Sequence, residues 1–427
     1  MKFISLIKNR WFVAYYMLIL MVIFIILLNP NAQIPLIQRT LFSGLILIPV
    51  FFELKILPAV LLLFLGINSQ SFATIFLPYN LYIPIVTLFY YILYNNKSSN
   101  VVKEIIILVI FFSIALLHID INNCFVWIFL TILLSDMVNN KDDLKLLFCA
   151  FIILSFFLSL LYLILWKDLA VQYYSTDIEY ANWTNHNVFG AVIAAGSSLA
   201  SAYTIGILKF EKTLSFTILS VATMIISFFA LTLNGSRGAF LAFTLSTIYM
   251  VTISQTKLFF KLIIILLGTA VVVWIFKNNF FDLLIYRMEI DETKTGGRSI
   301  IWGTKLNLFM MSENPLQFIL GIGQTACNNL GWHISTHNDF MTALIAYGFI
   351  GFCIFIYCVF IYPIKMAGNN KLVVSAMLMY LFIECCVLEP IFRGYFVEIM
   401  FYFFVMKYAI IIDKETNNSS LKNNILA

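Results

Sequence analysis

The sequence has too little charge to cover the surface of a soluble protein. Charged residues make up 11% of the 427 positions and hydrophobic residues 62%, and the mean hydropathy is +0.96. Soluble domains carry about 25% charged and about 45–50% apolar residues. The composition therefore excludes two or three soluble domains and predicts a polytopic membrane protein.

The sequence also lacks a disulfide pattern, and we expect that its basic N-terminal segment is not a cleavable leader. Its seven cysteines, an odd number without CxxC spacing, fall mostly inside apolar runs, which indicates core residues. The basic start before Trp11 is typical of a signal peptide, but Leu28-Asn29-Pro30-Asn31 has no small-x-small cleavage site. We expect a retained first helix with a cytoplasmic N-terminus. The net charge of +5 does not indicate nucleic-acid binding.

Long apolar stretches fill most of the chain. Together with 43 Phe and 21 Tyr, they favour helical spans with interfacial anchors over a β-barrel. The predicted fold class is all-α, a polytopic transmembrane helical bundle of about 12–14 spans with one long periplasmic loop carrying short helices. The predicted spans are 11–28, 38–52, 56–68, 72–94, 104–119, 121–138, 146–166, 186–207, 213–233, 238–255, 258–276, 339–362, 372–389 and 395–412.

The distribution of basic residues supports this arrangement. With a cytoplasmic start, 17 of the 26 basic residues fall in inner loops, as the positive-inside rule requires. The nine on the outer side are Arg39, Lys167, Arg237, Lys277, Arg287, Lys294, Arg298, Lys305 and Arg393. Five of these nine are arginines, whereas Arg10 is the single inner arginine. Because arginine binds phosphate bidentately, we expect the outer arginines to have a chemical role.

The chain divides into five segments. They are N-terminal transmembrane helices at 1–180, transmembrane helices carrying a Ser-Arg-Gly turn at 181–276, a periplasmic loop at 277–336, C-terminal transmembrane helices at 337–412 and a cytoplasmic tail at 413–427. The loop balances five basic with five acidic residues, so an anion site within it has to be local.

Two arginines stand where helices are predicted to begin at the outer surface. Ser236-Arg237-Gly238 follows one span, and Gly297-Arg298-Ser299 lies in the long loop. Each combines a hydroxyl, a guanidinium and free backbone N–H groups, which is the chemistry of an anion site. The alternative for each is a turn whose arginine only anchors the chain at the interface.

A third cluster of polar residues precedes the span at 339–362. His337 can act as a base near neutral pH, and Asn338 or Asp339 could orient it; the alternative is a histidine that caps the helix. His186 and Asn187 open another span and could line the same site. Gly321-x-Gly323 follows no βαβ pattern and is not a nucleotide loop.

Several carboxylates lie near the last outer turn of the chain. They are Glu384, Glu389 and Glu398. Carboxylates inside a membrane indicate a proton or ion path by default, but Arg393 in the same turn could pair with these three.

These motifs together resemble one family. The set consists of Asn182–Gly190, Ser236-Arg237-Gly238-Ala239, Gly297-Arg298 with Trp302, Gly321-x-Gly323, His337-Asn338 and Tyr347-Gly348-Phe349-Ile350-Gly351. In order, spacing and placement on one membrane face, it is similar to the superfamily of O-antigen ligases and Wzy-type O-antigen polymerases. The resemblance covers about residues 180–362 and leaves the N-terminal third matched only in hydropathy.

The resemblance implies an inverting glycosyltransferase at the periplasmic face of the bacterial inner membrane. Its donor is a glycan linked by diphosphate to undecaprenol, and it uses no metal or other cofactor. Arg237 and Arg298 are expected to stabilise the leaving diphosphate and His337 to act as the base. The residues expected to bind substrate are Ser236, Asn338, His186, Asn187 and Arg393. Expected partners are the lipid-linked oligosaccharide, membrane lipid and a chain-length-regulating membrane protein, with no nucleic acid.

Alternatives remain open at this point. No residue separates a polymerase, which joins repeat units, from a ligase, which transfers the glycan to lipid A-core. The polymerase is favoured because polymerases form the more numerous and divergent group. A flippase for the same glycan is a rival from another class. It would need paired structural halves and a charged central cavity, and the sequence contains no internal repeat.

The charge distribution yields a topological prediction. Reporter fusions after Trp166, Leu233 and Lys294 should report a periplasmic location, and fusions after Lys209 and Lys365 a cytoplasmic one. A cytoplasmic signal after Lys294 would put the outer arginines on the wrong side of the membrane and contradict the proposed chemistry.

Overall fold

The structure is a computed structural model. It describes residues 10–27, 35–69, 83, 86–87, 130, 134, 137–174, 186–255, 261, 277, 298–312, 314–331, 335–392 and 395–426. The chain forms two compact units, one of residues 1–82 and 137–281 and the other of residues 83–136 and 282–427. Throughout the described ranges the regular secondary structure is helical, which confirms the predicted all-α membrane fold.

The first unit contains eight of the helices that the structure describes. They are α1 (Arg10–Leu27), α2 (Leu36–Leu45), α3 (Ile48–Phe52), α4 (Leu57–Ser69), α5 (Lys141–Tyr174), α6 (His186–Ile205), α7 (Leu214–Asn234) and α8 (Arg237–Ile253). Asn140 caps α5, because its side-chain oxygen accepts the backbone N–H groups of Asp142 and Asp143 at 3.0 and 3.1 Å.

Small residues allow the helices of the first unit to pack closely. Gly196 of α6 faces α5 so tightly that a Cβ would lie 2.4 Å from the Phe151 carbonyl oxygen. Hydroxyl groups link the helices, with Ser159 2.9 Å from Ser227 and Ser198 3.1 Å from Ser246. Without a hydrophobic driving force between helices in lipid, such small and hydroxylated surfaces hold spans together.

The second unit contains seven described α-helices. They are α9 (Arg298–Met310), α10 (Pro315–Leu320), α11 (Gln324–Asn329), α12 (Asp339–Ile356), α13 (Tyr362–Met366), α14 (Lys371–Val387) and α15 (Phe396–Leu426). A π-helical turn, Tyr357–Ile361, joins α12 to α13. The freed carbonyl of Cys358 in this turn accepts a hydrogen bond of 2.7 Å from the Tyr402 hydroxyl.

The helical backbone of α12 is interrupted in its interior, and backbone N–H groups of the preceding loop bind the carbonyls at this break. Gly348 has φ 69° and ψ −173°, which are not helical angles. The carbonyls of Ile345 and Ala346 instead accept hydrogen bonds from the N–H groups of Ile322 and Gly323, at 3.1 and 2.8 Å. In an apolar environment these polar groups need protein partners. The Gly321-x-Gly323 motif therefore packs against the broken helix.

Five helices are long and apolar enough to cross a membrane, counted within the described ranges alone. They are Lys141–Leu165, Asn187–Ile205, Leu214–Asn234, Asp339–Met366 and Gly368–Val387. The protein is thus a multi-pass membrane protein. The predicted spans 72–94, 104–119, 121–138 and 258–276 lie mostly outside the described residues, so the total number of spans stays a prediction. The predicted tail at 413–427 continues α15 as far as Leu426.

The contact at the break depends on two glycines that approach each other. A Cβ on Gly348 would lie 2.4 Å from the Ile319 carbonyl oxygen, and one on Gly321 would lie 2.2 Å from the Ala346 oxygen. Both glycines also have positive φ, which strains any other residue. Gly348→Ala should therefore lower the free energy of unfolding by at least about 1–3 kcal/mol.

Thermal unfolding of the detergent-purified protein measures this effect. The matched control is Gly303→Ala in α9, where nothing lies within 4 Å of the added Cβ and where alanine is favoured in a helix by about 0.5–1 kcal/mol. Equal unfolding temperatures for the two variants would show that the break does not need glycine.

Candidate functional site

In the first unit, three helices bring predicted polar residues to one end. α6 begins at His186, α7 ends at Asn234 and α8 begins at Arg237. The turn between α7 and α8 is short because Gly235 adopts a left-handed conformation with φ 65°. Ser236 and Arg237 therefore follow directly on the end of α7, as the Ser-Arg-Gly motif predicted.

Ser236 is fully buried and contacts α6. Its hydroxyl donates a 3.3 Å hydrogen bond to the side-chain oxygen of Asn187. The helices come this close because α6 has Gly190 here, where a Cβ would lie 2.8 Å from that of Ser236. The structure thus brings together the predicted residues Asn187 and Ser236. The side chain of His186 is outside the described part of the chain.

Arg237 contributes a positive charge at this end of the first unit. It is half-buried and is the first residue of α8, where the helix dipole is positive. The first turn of α8 contains no acidic residue that would offset either charge. Next to it, Asn234 is 1% exposed, and within the described ranges neither polar atom of its side chain has a hydrogen-bond partner. The turn therefore combines a cation with unsatisfied hydrogen-bonding groups, an arrangement suited to a phosphate-like anion.

In the second unit, one face of α9 is buried and another is exposed. Arg298, Trp302, Lys305 and Phe309 follow one another at spacings of four, three and four residues, which places them on one side of the helix. Lys305 and Phe309 are buried, whereas Ile300 on another face is 50% exposed. Like Arg237, Arg298 is the first residue of its helix, and the first turn of α9 contains no acid. The predicted arginine at a helix start is therefore present in both units.

Lys305 has a structural role that its place among the outer basic residues did not suggest. Its buried ammonium group donates hydrogen bonds to the carbonyls of Cys327, Asn328 and Leu330, at 2.5, 3.1 and 2.9 Å. These carbonyls end α11, where a positive charge also interacts favourably with the helix dipole. Burial lowers the pKa of Lys305, although Cys327 and Glu389 act in the opposite direction.

His337 lies in a strained backbone conformation. Its φ of 51° is the one positive φ among the non-glycine residues that the structure describes. Such a conformation costs of order 1–3 kcal/mol and persists only where its surroundings enforce it. The Trp302 indole N–H contributes by donating a 2.6 Å hydrogen bond to the Thr336 carbonyl directly before the histidine. α9 therefore helps to hold the half-buried His337 in place.

Side chains on both sides of His337 are tied to buried groups. The Thr336 hydroxyl lies 2.6 Å from that of Thr342, and both threonines donate to the carboxylate of Glu389, which is 1% exposed. On the other side, the Asn338 side-chain oxygen caps α12 by accepting the Met341 N–H at 3.0 Å. The nitrogen of the same Asn338 side chain donates to the Cys386 carbonyl at 2.9 Å. The strained histidine thus sits between two anchored neighbours.

Asp339 fixes the turn that leads to Arg393. It is fully buried, and its two carboxylate oxygens accept the N–H groups of Ile391 and Phe392 at 3.0 and 3.2 Å. The Gln324 amide nitrogen donates to the Phe392 carbonyl at 3.2 Å. With its oxygens used in this way, Asp339 is better suited to hold the turn than to serve as a base. Arg393 itself lies outside the described residues.

The structure therefore distributes the predicted site residues between the units. Ser236, Asn187 and Arg237 belong to the first unit, and Arg298, His337 and Asn338 to the second. The sequence analysis did not select Asn234, Thr336 and Thr342 as site residues, and it classed Lys305 by its charge alone. All four are common residue types, and their structural roles become visible only because the structure shows that they are buried. In the described ranges, no three His, Cys, Asp or Glu side chains are arranged to hold a metal ion.

Taken together, the helical spans define a multi-pass membrane protein, and polar residues cluster at the ends of several of its helices. Residues 222–356 match the family model described as O-antigen ligase. The resemblance predicted from the motifs is thereby confirmed over this stretch, which includes Arg237, Arg298 and His337. The match supports an activity of the O-antigen ligase and polymerase type. A search of curated proteins finds no significant match to the chain.

The hydrogen bonds of Lys305 yield a prediction about stability. Lys305→Met keeps the approximate length of the side chain but leaves three carbonyls without their hydrogen-bond donor. The free energy of unfolding should therefore fall by on the order of 3 kcal/mol. Thermal or denaturant unfolding in detergent measures this. Lys371→Met removes an exposed lysine at the start of α14 and is the control. If both variants unfold like the wild type, Lys305 does not hold α11.

Proposed function

We propose that this protein is an O-antigen polymerase-like glycosyltransferase. In this proposal it joins oligosaccharide repeat units that are carried on undecaprenyl diphosphate, at the periplasmic face of the inner membrane, without a metal ion. The observation that carries the proposal is the family match at 222–356, because it spans both helix-start arginines and the strained histidine.

The two arginines are assigned to charge stabilisation. When the bond between the anomeric carbon and the diphosphate breaks, negative charge develops on the departing phosphate oxygen. Arg298 in the second unit and Arg237 in the first are guanidinium groups at the positive ends of helices, and each is suited to binding phosphate oxygens bidentately. Donors held in advance where charge develops typically lower a barrier by about 2.7–4 kcal/mol.

His337 is assigned the role of general base. The acceptor hydroxyl attacks the anomeric carbon from the side opposite the diphosphate, which inverts the configuration at that carbon. The hydroxyl proton passes to the imidazole as the new carbon–oxygen bond forms, and the imidazolium later returns it to water. A positioned base contributes typically 10²–10⁴-fold in rate. The anchoring of Thr336 and Asn338 supports this role, since a base has to be held still.

The remaining predicted residues complete the proposal. Ser236, Asn187, Asn338, His186 and Arg393 are assigned to substrate binding. The Asn338 side chain already forms hydrogen bonds with the backbone of Met341 and Cys386. Asn338 would therefore bind substrate through its own backbone, or its side chain would give up one of these hydrogen bonds for one to the substrate. A chain-length-regulating membrane protein is proposed as a partner.

The second candidate is a ligase that transfers the finished glycan to lipid A-core. The matching family is described as O-antigen ligase, which favours this candidate. Both reactions use the same donor and leaving group and differ only in the acceptor. The neighbouring genes distinguish the two, because a glycan-synthesis cluster favours the polymerase and a lipid A-core cluster favours the ligase.

The role of His337 is tested by two substitutions. His337→Gln keeps a hydrogen-bonding side chain but cannot accept a proton. His337→Asn does the same and also tolerates a positive φ better than most residues. Both variants should insert normally and lose at least about 10²-fold in rate, with lipid-linked repeat units accumulating in the membrane. Lipopolysaccharide gels and extraction of the lipid-linked glycans measure the two effects.

His333→Ala is the matched control and should keep measurable activity. A chelator added to membranes should leave the wild-type rate unchanged. Long polymer from His337→Asn in isolated membranes would mean that the residue only positions the acceptor and that the base lies elsewhere.

A further inference from the structure

The short helix α10 carries apolar side chains that the protein leaves exposed. Three of its six residues are large, apolar and between 42% and 60% exposed: Leu316, Phe318 and Ile319. None of its residues is buried, and the side-chain oxygen of its one polar residue, Gln317, accepts a hydrogen bond from the Ser312 hydroxyl. Soluble surfaces rarely present contiguous apolar patches, so this face requires a partner.

The sequence around α10 is nearly uncharged. Between Lys305 and Asp339 the chain has a single charged residue, Glu313. The stretch from Asn314 to Asn338 therefore contains no Asp, Glu, Lys or Arg. A charged side chain in the middle of a bilayer costs about 2.5–3.5 kcal/mol on insertion scales, so this stretch avoids the largest penalty for entering lipid.

The turn after α10 meets α12 well inside a membrane span. The span Asp339–Met366 has 28 residues, and Gly348 lies nine residues after its first residue, about 13 Å along the helix at 1.5 Å per residue. At that level the Ile319 carbonyl oxygen would lie 2.4 Å from a Cβ on Gly348. The N–H groups of Ile322 and Gly323 bond to carbonyls of α12 at the same level. The segment after α9 therefore reaches this depth of the span.

The chain enters and leaves this position at the same end of the span. Before α10, Trp302 of α9 donates its 2.6 Å hydrogen bond to the Thr336 carbonyl, three residues before α12 begins. After α10, the end of α11 is held to α9 by Lys305, and the chain returns to Asn338, which caps α12. Residues 315–323 are therefore an excursion along α12 towards Gly348 and back, which is the course of a re-entrant segment.

The exposed face of α10 continues the exposed face of the span. Phe349, directly after the break in α12, is exposed, and its ring stacks on that of Phe318 with centroids 6.4 Å and planes 9° apart. Cys353, four residues further along and on the same side of α12, is exposed as well. Because hydrocarbon surrounds a membrane span, what covers this face of α12 also covers Phe318.

We propose that residues 315–323 form a re-entrant membrane segment and that phospholipid acyl chains cover the exposed apolar side chains of α10. The N–H groups of the Gly321–Gly323 turn find their acceptors at the break in α12, and this lets irregular backbone lie at membrane depth. In this proposal a part of the predicted periplasmic loop at 277–336 lies in the bilayer. The proposal does not depend on the proposed glycosyl transfer.

Cysteine accessibility of the full-length protein in phospholipid nanodiscs, without substrate, tests whether α10 is in water. The thiols of Leu316→Cys and Ile319→Cys should react with a sulfonated, membrane-impermeant maleimide at least about 10-fold more slowly than that of Glu211→Cys, because an apolar environment disfavours the reactive thiolate. Glu211 is an exposed residue of the first unit and serves as the control. All three thiols should react fully after denaturation in SDS, and mass spectrometry of the separate peptides distinguishes them from the native cysteines.

A second measurement distinguishes lipid from protein as the cover. When a phosphatidylcholine with a diazirine in its acyl chain is irradiated in wild-type nanodiscs, residues 315–320 should be modified to a similar extent as the peptide that contains Phe349 and Cys353. The buried stretch 397–409 of α15 is the control and should stay unmodified.

Two results would overturn the proposal. Fast reaction of either cysteine with the maleimide would place α10 in water. Slow reaction without acyl-chain labelling of residues 315–320 would mean that another protein segment or a second copy of the chain covers this face. Because no substrate is present, failure of the proposed glycosyl transfer would not alter either measurement.

Discussion

The part of the second unit around His337 depends on protein partners for its buried polar groups. In an apolar interior, an unpaired backbone or charged group costs several kcal/mol, so each has to find a partner in the protein. The carbonyls at the end of α11 use Lys305, the N–H groups of the 391–392 turn use Asp339, and the threonines around His337 use Glu389. These contacts join loop segments to spans and thereby fix the position of the candidate base.

The strained backbone at His337 follows from the same constraint. Thr336 and Asn338 are held on either side by a carboxylate and by two backbone groups, and Trp302 holds the carbonyl of Thr336. These anchors on both sides of His337 oppose a change of its backbone to a negative φ. Strain of this kind is expected where a fold holds a reactive group in place, which connects the packing of α9 to the proposed chemistry.

Much of the helical framework could be predicted because hydrophobic runs and positive loops follow directly from the bilayer. The helices at 186–205, 214–234 and 371–387 begin and end within a few residues of the predicted spans. The helix-start arginines were also predictable, since Gly-Ser-Arg-Gly at 235–238 and Gly-Gly-Arg-Ser at 296–299 are local patterns. The break in α12 was not, because its cause is a loop that comes close only in three dimensions: Gly348 needs the carbonyl of Ile319 beside it. The structural role of Lys305 could not be predicted for the same reason, since a count of charges does not show which of them are buried.

The central claim is that arginines, rather than a metal ion, stabilise a departing lipid diphosphate. Its most direct test is transfer by the purified protein in liposomes, with an undecaprenyl-diphosphate-linked oligosaccharide as the donor and a chelator present. The account predicts that the wild type releases undecaprenyl diphosphate, and that Arg298→Lys, which keeps the charge but lacks the bidentate fork, is slower by about 10²–10³-fold. Release that requires an added metal ion, or a lysine variant as fast as the wild type, would contradict it.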